Sequence, residues 1–414
     1  MKKITRFERG QALIIIVFSI IALVGAVALA IDGGNVYAER RRAQNAADAA
    51  ALAGAVQRIN NNSATWPNAV FQSALQNGYN NDGVTNTVSV YSPPISGPNA
   101  GNIEYIQVLI TSHTKTYFAS VLGISNITNN VEAVTRTKPS EYLPILDGAA
   151  VASLAPISDC DNFKSFWVLG EATLDLTGGG IFVNSNNPTC ALITQGNGSI
   201  RIRDNNQIRV VGGSSIQKPK LLTPFPPIQT PPVSSPPPFY MPKVGCGNQI
   251  ATVEEDGHTM KPGSWGDPFP PTGVTNLSSG VYCLDDGFTM DDGMKLSGNQ
   301  VVFKITNGRV RFSGHAELDL SAPGSGQNAG LLIYQPQDNM NRMSLNANAF
   351  SSFRGTILAP GALIIINGNA SPIGFHSQII GNTIQVNGQD DIIFKIIPDQ
   401  NYKALTFPQV QFTK

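Results

Sequence analysis

The chain has 414 residues, 42% of them hydrophobic, and its 28 Lys and Arg balance its 28 Asp and Glu, so the formal charge is zero. That length allows two or more domains with packed cores, and with only 14% of residues charged there is no basic face for nucleic acid. The 40 Gly and 28 Pro fit an extracellular, turn-rich β protein better than a cytoplasmic enzyme.

The first predicted element is an apolar run over residues 10–31, GQALIIIVFSIIALVGAVALAI. It carries no charge and at a helical rise can cross ~30 Å of hydrocarbon. Lys2, Lys3, Arg6 and Arg9 precede it against the single acid Glu8. That bias keeps the N-terminus in the cytoplasm and puts everything from Asp32 outside a cell membrane, as a single-pass protein. Arg40, Arg41 and Arg42 oppose this orientation weakly, because they head a long exported segment. A cleaved signal peptide is the alternative, with Ala28-Leu29-Ala30 as its small-x-small site, but the run exceeds the usual ~7–15-residue core of such peptides. A buried core helix would usually carry a polar face.

Three landmarks surround the run: Arg9-Gly10-Gln11-Ala12 ahead of it, Asp32-Gly33-Gly34 at its end, and Gln44-Asn45-Ala46-Ala47-Asp48-Ala49-Ala50-Ala51-Leu52-Ala53 beyond. In order and spacing the segment 8–55 resembles the N-terminal region of the TadE/TadG-like proteins of the tight-adherence (Flp) pilus system. The resemblance implies a single helix that anchors an exported domain, a role in assembling or decorating a bacterial surface fibre, and other pilus-assembly or envelope proteins as partners. Prepilins of this broad class usually carry Glu five residues after the processing Gly. Ile15 stands there, which argues against cleavage after Gly10 and against incorporation as a fibre subunit.

Residues 32–150 read as a small α+β module. Beyond a Gly33-Gly34 hinge, Asn35 caps a predicted helix reaching about residue 59, with Ala43, Ala46, Ala47, Ala50 and Ala53 along one flank. That smooth flank suits either a partner helix near the membrane or the module's own sheet. Pro67 opens a second helix over 68–77, stopped by Gly78. Strands are predicted over 84–91 and 103–111, a short helix over 116–123, and a closing strand over 127–137. The strand leading to an aromatic-rich helix that ends in Leu122-Gly123 also resembles the TadG-like pattern. His113 has no ligand partners near it in sequence and reads as an ordinary surface or core residue.

From 151 to 400 the chain turns to short β-branched runs ending in Gly or Asn. Leu345-Asn346-Ala347-Asn348, Ile366-Asn367-Gly368-Asn369 and Val386-Asn387-Gly388-Gln389 recur about every 20 residues, and Phe353-x-x-x-Ile357 is echoed by Phe375-x-x-x-Ile379. Repeats too short to bury their own apolar face must stack, which predicts a mainly-β fold, a right-handed parallel β-helix (solenoid) with Asn ladders at its turns. Looser matches lie at 174–179, 200–202, 208–213, 294–299 and 310–314. The proline-rich stretch 218–242 reads as a strap on the surface of one solenoid, the alternative being a linker between two domains. Residues 401–414 are left as a C-terminal tail. The arrangement from Cys160 through the prolines to Gly280-Val281-Tyr282-Cys283 and Phe353-Arg354-Gly355-Thr356-Ile357-Leu358-Ala359-Pro360 resembles the exported β-repeat region of some TadG-like and other cell-envelope proteins, and implies a surface-exposed shaft.

Cys160, Cys190, Cys246 and Cys283 all follow the apolar run. In an oxidising exterior they allow two disulfides in three pairings, and sequence order favours Cys160 with Cys190 and Cys246 with Cys283. Free thiols come second, and zinc lacks the Cys-x-x-Cys spacing. Asp285-Asp286-Gly287 and Asp291-Asp292-Gly293 are solvated turns, or else two acidic turns meeting on neighbouring coils to hold calcium. Glu254-Glu255-Asp256 and Asp390-Asp391 are the other acidic candidates, but adjacent strand residues point to opposite faces and do not make a catalytic pair. His258, His315 and His376 are scattered, and Gly178-Gly179-Gly180 lacks the Lys-Ser/Thr of a phosphate loop. The expectation is a membrane-anchored surface protein for pilus assembly, display or adhesion, without a catalytic, cofactor or metal site. A β-helix enzyme acting on, or a protein binding, surface polysaccharide is the alternative.

Overall fold

The structure is a computed structural model that describes residues 8–61, 65–234, 237–347, 351–368, 375–389 and 391–413. The chain divides into two compact units, one of Met1–Glu141 with Phe407–Lys414 and one of Tyr142–Thr406.

In the first unit, α1 runs unbroken over Glu8–Asn61. The expected hinge at Gly33-Gly34 does not exist: two glycines cost a helix only about 2 kcal/mol together, and strong helix formers on both sides absorb that. From Ala12 onward α1 is long and apolar enough to cross a membrane, its most apolar 18-residue window having a mean hydropathy of 3.1 and 0% burial in the protein. Its later half is amphipathic through small residues. Ala43, Ala46, Ala47 and Ala50 are buried against Ile106, Val108 and Ile110, so the Ala flank packs on the module's own sheet.

The second helix, α2 (Trp66–Gln76), carries Pro67 in its first turn. It crosses α1 at Gly54, where an added Cβ would lie 2.5 Å from Val70 Cγ2. The sheet is antiparallel, formed by β1 (Asn86–Tyr91), β2 (Tyr105–Lys115), β3 (Asn126–Lys138) and the strand Gln409–Thr413. Of the expected tail 401–414, the described residues 401–413 therefore carry strands and are not a tail. Lys403–Leu405 pairs with Tyr142–Pro144 in the second unit, and Gln409–Thr413 closes the sheet of the first.

The second unit is built almost wholly of parallel strands in an 11-stranded and a 16-stranded sheet. Each pass of the chain lays three short strands beside three of the next. Val151–Ser153, Phe166–Val168 and Thr173–Thr177 thus lie beside Ile181–Val183, Leu192–Thr194 and Ser199–Ile202. The sequence repeats fall in register: Leu345, Ile366 and Val386 align, as do Asn346, Asn367 and Asn387, Phe353 with Phe375, and Ile357 with Ile379. Asn387 Nδ2 donates to Asn367 Oδ1 at 3.3 Å, one rung of the expected ladder. The next Asn in each repeat, Asn348 and Asn369, lies outside the described residues.

The order of passes departs from sequence order. Val151–Ser153 sits between Ile181–Val183 and Ile379–Gly388, in the interior of the 16-stranded sheet. From there the strands run outward to Ile228–Gln229 at one end. The chain then crosses to the far end at Gly263–Trp265 and lays strands back to the middle. Both series advance in the same direction along the sheet.

Between the sheets the rings of Phe312, Phe353, Phe375 and Phe394 stack at centroid distances of 5.8, 5.3 and 5.0 Å. On the other face of the larger sheet, Phe182, Val302, Leu358 and Ile380 form a second core with Phe239 and Val244 of the crossing segment. The proline-rich stretch is only partly a strap. Leu222–Thr223 and Ile228–Gln229 join the sheets at their ends, where a missing N–H is tolerated, and the crossing proper begins near Val233. Asn184 pins that point, its Nδ2 donating to Val233 O at 2.9 Å and its Oδ1 accepting from Val233 N at 2.8 Å.

Candidate functional site

Of the three sequence landmarks, Asp32-Gly33-Gly34 stands where the apolar run ends. Asp32 is the first charged residue after the run, and its carboxylate is only 5% exposed. It accepts backbone N–H bonds from Tyr117 (2.9 Å), Phe118 (3.0 Å) and Ala119 (2.7 Å), in the loop after β2. The amides of Ala119 and Tyr117 stabilise the anion and hold the carboxyl below the usual aspartate range, against the opposing effect of desolvation. The loop can present three N–H groups because Thr116 bonds across it to Ile124 O, and Ala119–Leu122 turns as a short 3₁₀ segment ended by Gly123 at φ +87°.

Further along α1 the same pattern repeats. Glu39 Oε1 accepts from the Tyr79 hydroxyl at 2.9 Å, and burial together with Glu39 pushes that phenol up. Gln44 Nε2 donates to Glu132 O of β3 and to Asp48 Oδ1, both at 2.9 Å. Arg58 donates to Ser92 Oγ and Ile103 O at 2.7 Å, and burial lowers its pKa. One face of the helix is thus bolted to the folded module from Asp32 to Arg58. This geometry fixes the helix just beyond the apolar run against the module's sheet and loops.

The other sequence candidates do not converge. Asp285-Asp286 and Asp291-Asp292 flank a single strand, Phe288–Met290, on one pass of the chain, so they cannot meet on neighbouring coils. Asp291 pairs with Arg311, and Asp292 faces Ser313 and His315. Asp256 closes a turn by accepting from His258 N, Thr259 N and Thr259 Oγ1, whose bonds lower its pKa. Asp390 lies outside the described residues, and Asp391 is an exposed strand end. Among the described residues no group of three or more His, Cys, Asp or Glu is placed to hold a metal ion.

Nδ1 of His258 lies 2.9 Å from Gly273 O, Nδ1 of His376 lies 3.2 Å from Lys395 O, and His113 faces Thr128 Oγ1 at 3.1 Å. Gly178-Gly179-Gly180 is a turn under close backbone approach, where a Cβ on Gly178 would stand 2.1 Å from Ile396 O. Cys160 is bonded to Cys190 and Cys246 to Cys283, with Cα atoms 5.6 and 6.1 Å apart. The second disulfide fastens the crossing segment to the sheet.

A groove of about 600 Å³ in the second unit is lined by Ser297, Asn299, Ser321, Asp319, Arg354 and Asp399, among others. Asp319 pairs with Arg354 at 2.7 Å and Asp399 with Lys403 at 3.2 Å, and among the described residues no aromatic ring lines the groove. Sequence reasoning missed a buried ion pair of this unit. Asp175, 3% exposed, is held by Arg203 (2.7 and 2.5 Å) and Arg201 (3.3 Å), which lie on or just beyond the adjacent strand. The alternation in Ile200-Arg201-Ile202-Arg203, beside Leu174-Asp175-Leu176, was the available signal.

No curated protein and no solved structure matches the chain. Residues 10–57, the stretch that holds the apolar run together with Asp32, Glu39 and Gln44, match the family model described as "Putative Flp pilus-assembly TadE/G-like", so the chain carries a TadE/G-like domain at its N-terminal end.

Proposed function

We propose that this protein is a single-pass component of a tight-adherence (Flp/Tad) pilus system, with its N-terminus in the cytoplasm and both compact units outside the membrane. The TadE/G-like match over residues 10–57 carries the reading, and the exposed apolar half of α1 supports it. In this account Tyr142–Thr406 is a right-handed parallel β-helix that serves assembly, surface display or adhesion without catalysis. The in-register repeats and the common direction of both strand series favour the coil. The engagement of both groove carboxylates by cations favours a non-catalytic shaft over a polysaccharide-processing enzyme. Its partners are membrane lipid and other pilus-assembly or envelope proteins.

The test is a deletion strain of the source organism. Loss of piliation or of surface attachment, restored by the full chain, is the expected outcome. Unchanged piliation and attachment would overturn the proposal.

A further inference from the structure

The loop that Asp32 holds gathers exposed apolar side chains closely along the chain. From Thr116 to Ser125 it contains no charged residue. Tyr117 is 69% exposed, Phe118 42%, Val121 86% and Ile124 51%, a cluster of large apolar side chains within eight residues. Soluble surfaces scatter such residues singly, and a cluster marks a contact surface.

The depth of this cluster is set by the hydrogen bonds already described. The apolar run ends at Ile31, itself 43% exposed, and the next residue binds the amides of Tyr117, Phe118 and Ala119 at 2.7–3.0 Å. The loop is therefore level with the point where α1 passes from apolar to polar. Tyr and Phe belong at that level, where an amphipathic ring meets headgroups with one end and acyl chains with the other. Lys115, just before the loop, has a side chain long enough to return its charge to water.

We infer that the loop 116–125 is a second membrane contact, seated in the headgroup–acyl boundary of the outer leaflet beside α1 and fixing the tilt and depth of the helix. The occupant is lipid because the loop continues the exposed apolar surface of α1 at the same height. This inference rests on the membrane-spanning reading of residues 10–31. It adds that the module does not hang from the helix but sits on the bilayer. Asp32 is then a positioning residue, holding the loop at the right level.

Full-length protein in phosphatidylcholine vesicles tests this with three single tryptophan substitutions, each read against the unsubstituted chain. Leu23→Trp reports the span, Val121→Trp the loop, and Ile103→Trp, at the opposite end of β2, serves as the aqueous control. Phosphatidylcholine brominated near the headgroup end of its acyl chains is expected to quench Val121→Trp at least twofold and to leave Ile103→Trp unchanged. Bromine near the terminal methyl is expected to quench Leu23→Trp. Quenching of Leu23→Trp with Val121→Trp as open to aqueous iodide as Ile103→Trp overturns the loop contact and leaves the span standing. Shielding of Val121→Trp from iodide without bromine quenching would mean a second copy covers the loop, and overturns the lipid assignment. Absence of bromine quenching at both positions overturns the span and the loop contact together.

Discussion

At Asp32 one carboxylate satisfies three amide hydrogens from a loop 85 or more residues away in sequence, and its charge is what the bonds require. Asp32→Asn keeps the shape and removes the charge. Hydrogen exchange at the Tyr117, Phe118 and Ala119 amides should then rise by about tenfold or more, while amides in the middle of β2 stay protected. Because the folded carboxyl has a lowered pKa, its stabilising effect is complete above the ordinary aspartate range and is lost as pH falls through the lower folded value. The wild-type loop should therefore loosen only below about pH 4, as the same exchange experiment run against pH would record. Asp32 stood out in the sequence as a landmark, but no local pattern could name its partners. The row of stacked rings was half legible: Phe353 and Phe375 recur at the spacing of their repeat, whereas Phe394 closes a pass of different length and Phe312 comes from another strand of its pass, Leu320 being the residue in register with Phe353. Phe375→Ala removes a fully buried ring from the middle of that row and should cost about 3–5 kcal/mol, measured by denaturant unfolding of the detergent-solubilised chain.

Helix α1 shows where element-scale reading succeeds and where it fails. Its apolar half and its Ala flank are both periodic signals, and the structure places the flank in the core. The Gly pair reads as a break because glycine is a poor helix former, yet helix length and the bolts on either side outweigh that local cost. Ala47→Leu would force a larger side chain against the strands and should destabilise the first unit by about 1–3 kcal/mol, seen as a lower unfolding midpoint. The crossing segment is the opposite case. Proline content identified it, but two-residue strands such as Leu222–Thr223 are below what periodicity can resolve. Its fastening by Cys246 and Cys283 closes a separation of 37 residues, so replacing both by Ser should cost about 4 kcal/mol in the loop-entropy account. Limited proteolysis should then cut near residues 240–250 before any other site.

The connectivity of the second unit was not legible at all. Repeats reveal that passes stack, but nothing in a repeat says which pass meets which, and sequence order suggests a simple progression from first to last. Instead Asp391–Lys395 pairs with Thr173–Thr177, so the last pass docks on the first. The terminal strand Gln409–Thr413 escaped notice for the same reason, because it borrows its pairing from β3, more than 270 residues earlier. Removing residues 375–414 should leave the flank of Val151–Ser153 and Thr173–Thr177 uncovered, and on expression the shortened chain should aggregate or be degraded while the full chain accumulates.

If the second unit is exported, as proposed above, that docking also bears on the order in which its strands can pair. In a chain delivered from its N-terminal end, the earliest strands emerge with one hydrogen-bonding margin vacant, and the residues that fill it arrive some two hundred positions later. Under the topology proposed above, completion of this fold waits on the strands over residues 379–395, and the period of greatest risk for each molecule is the interval before they emerge.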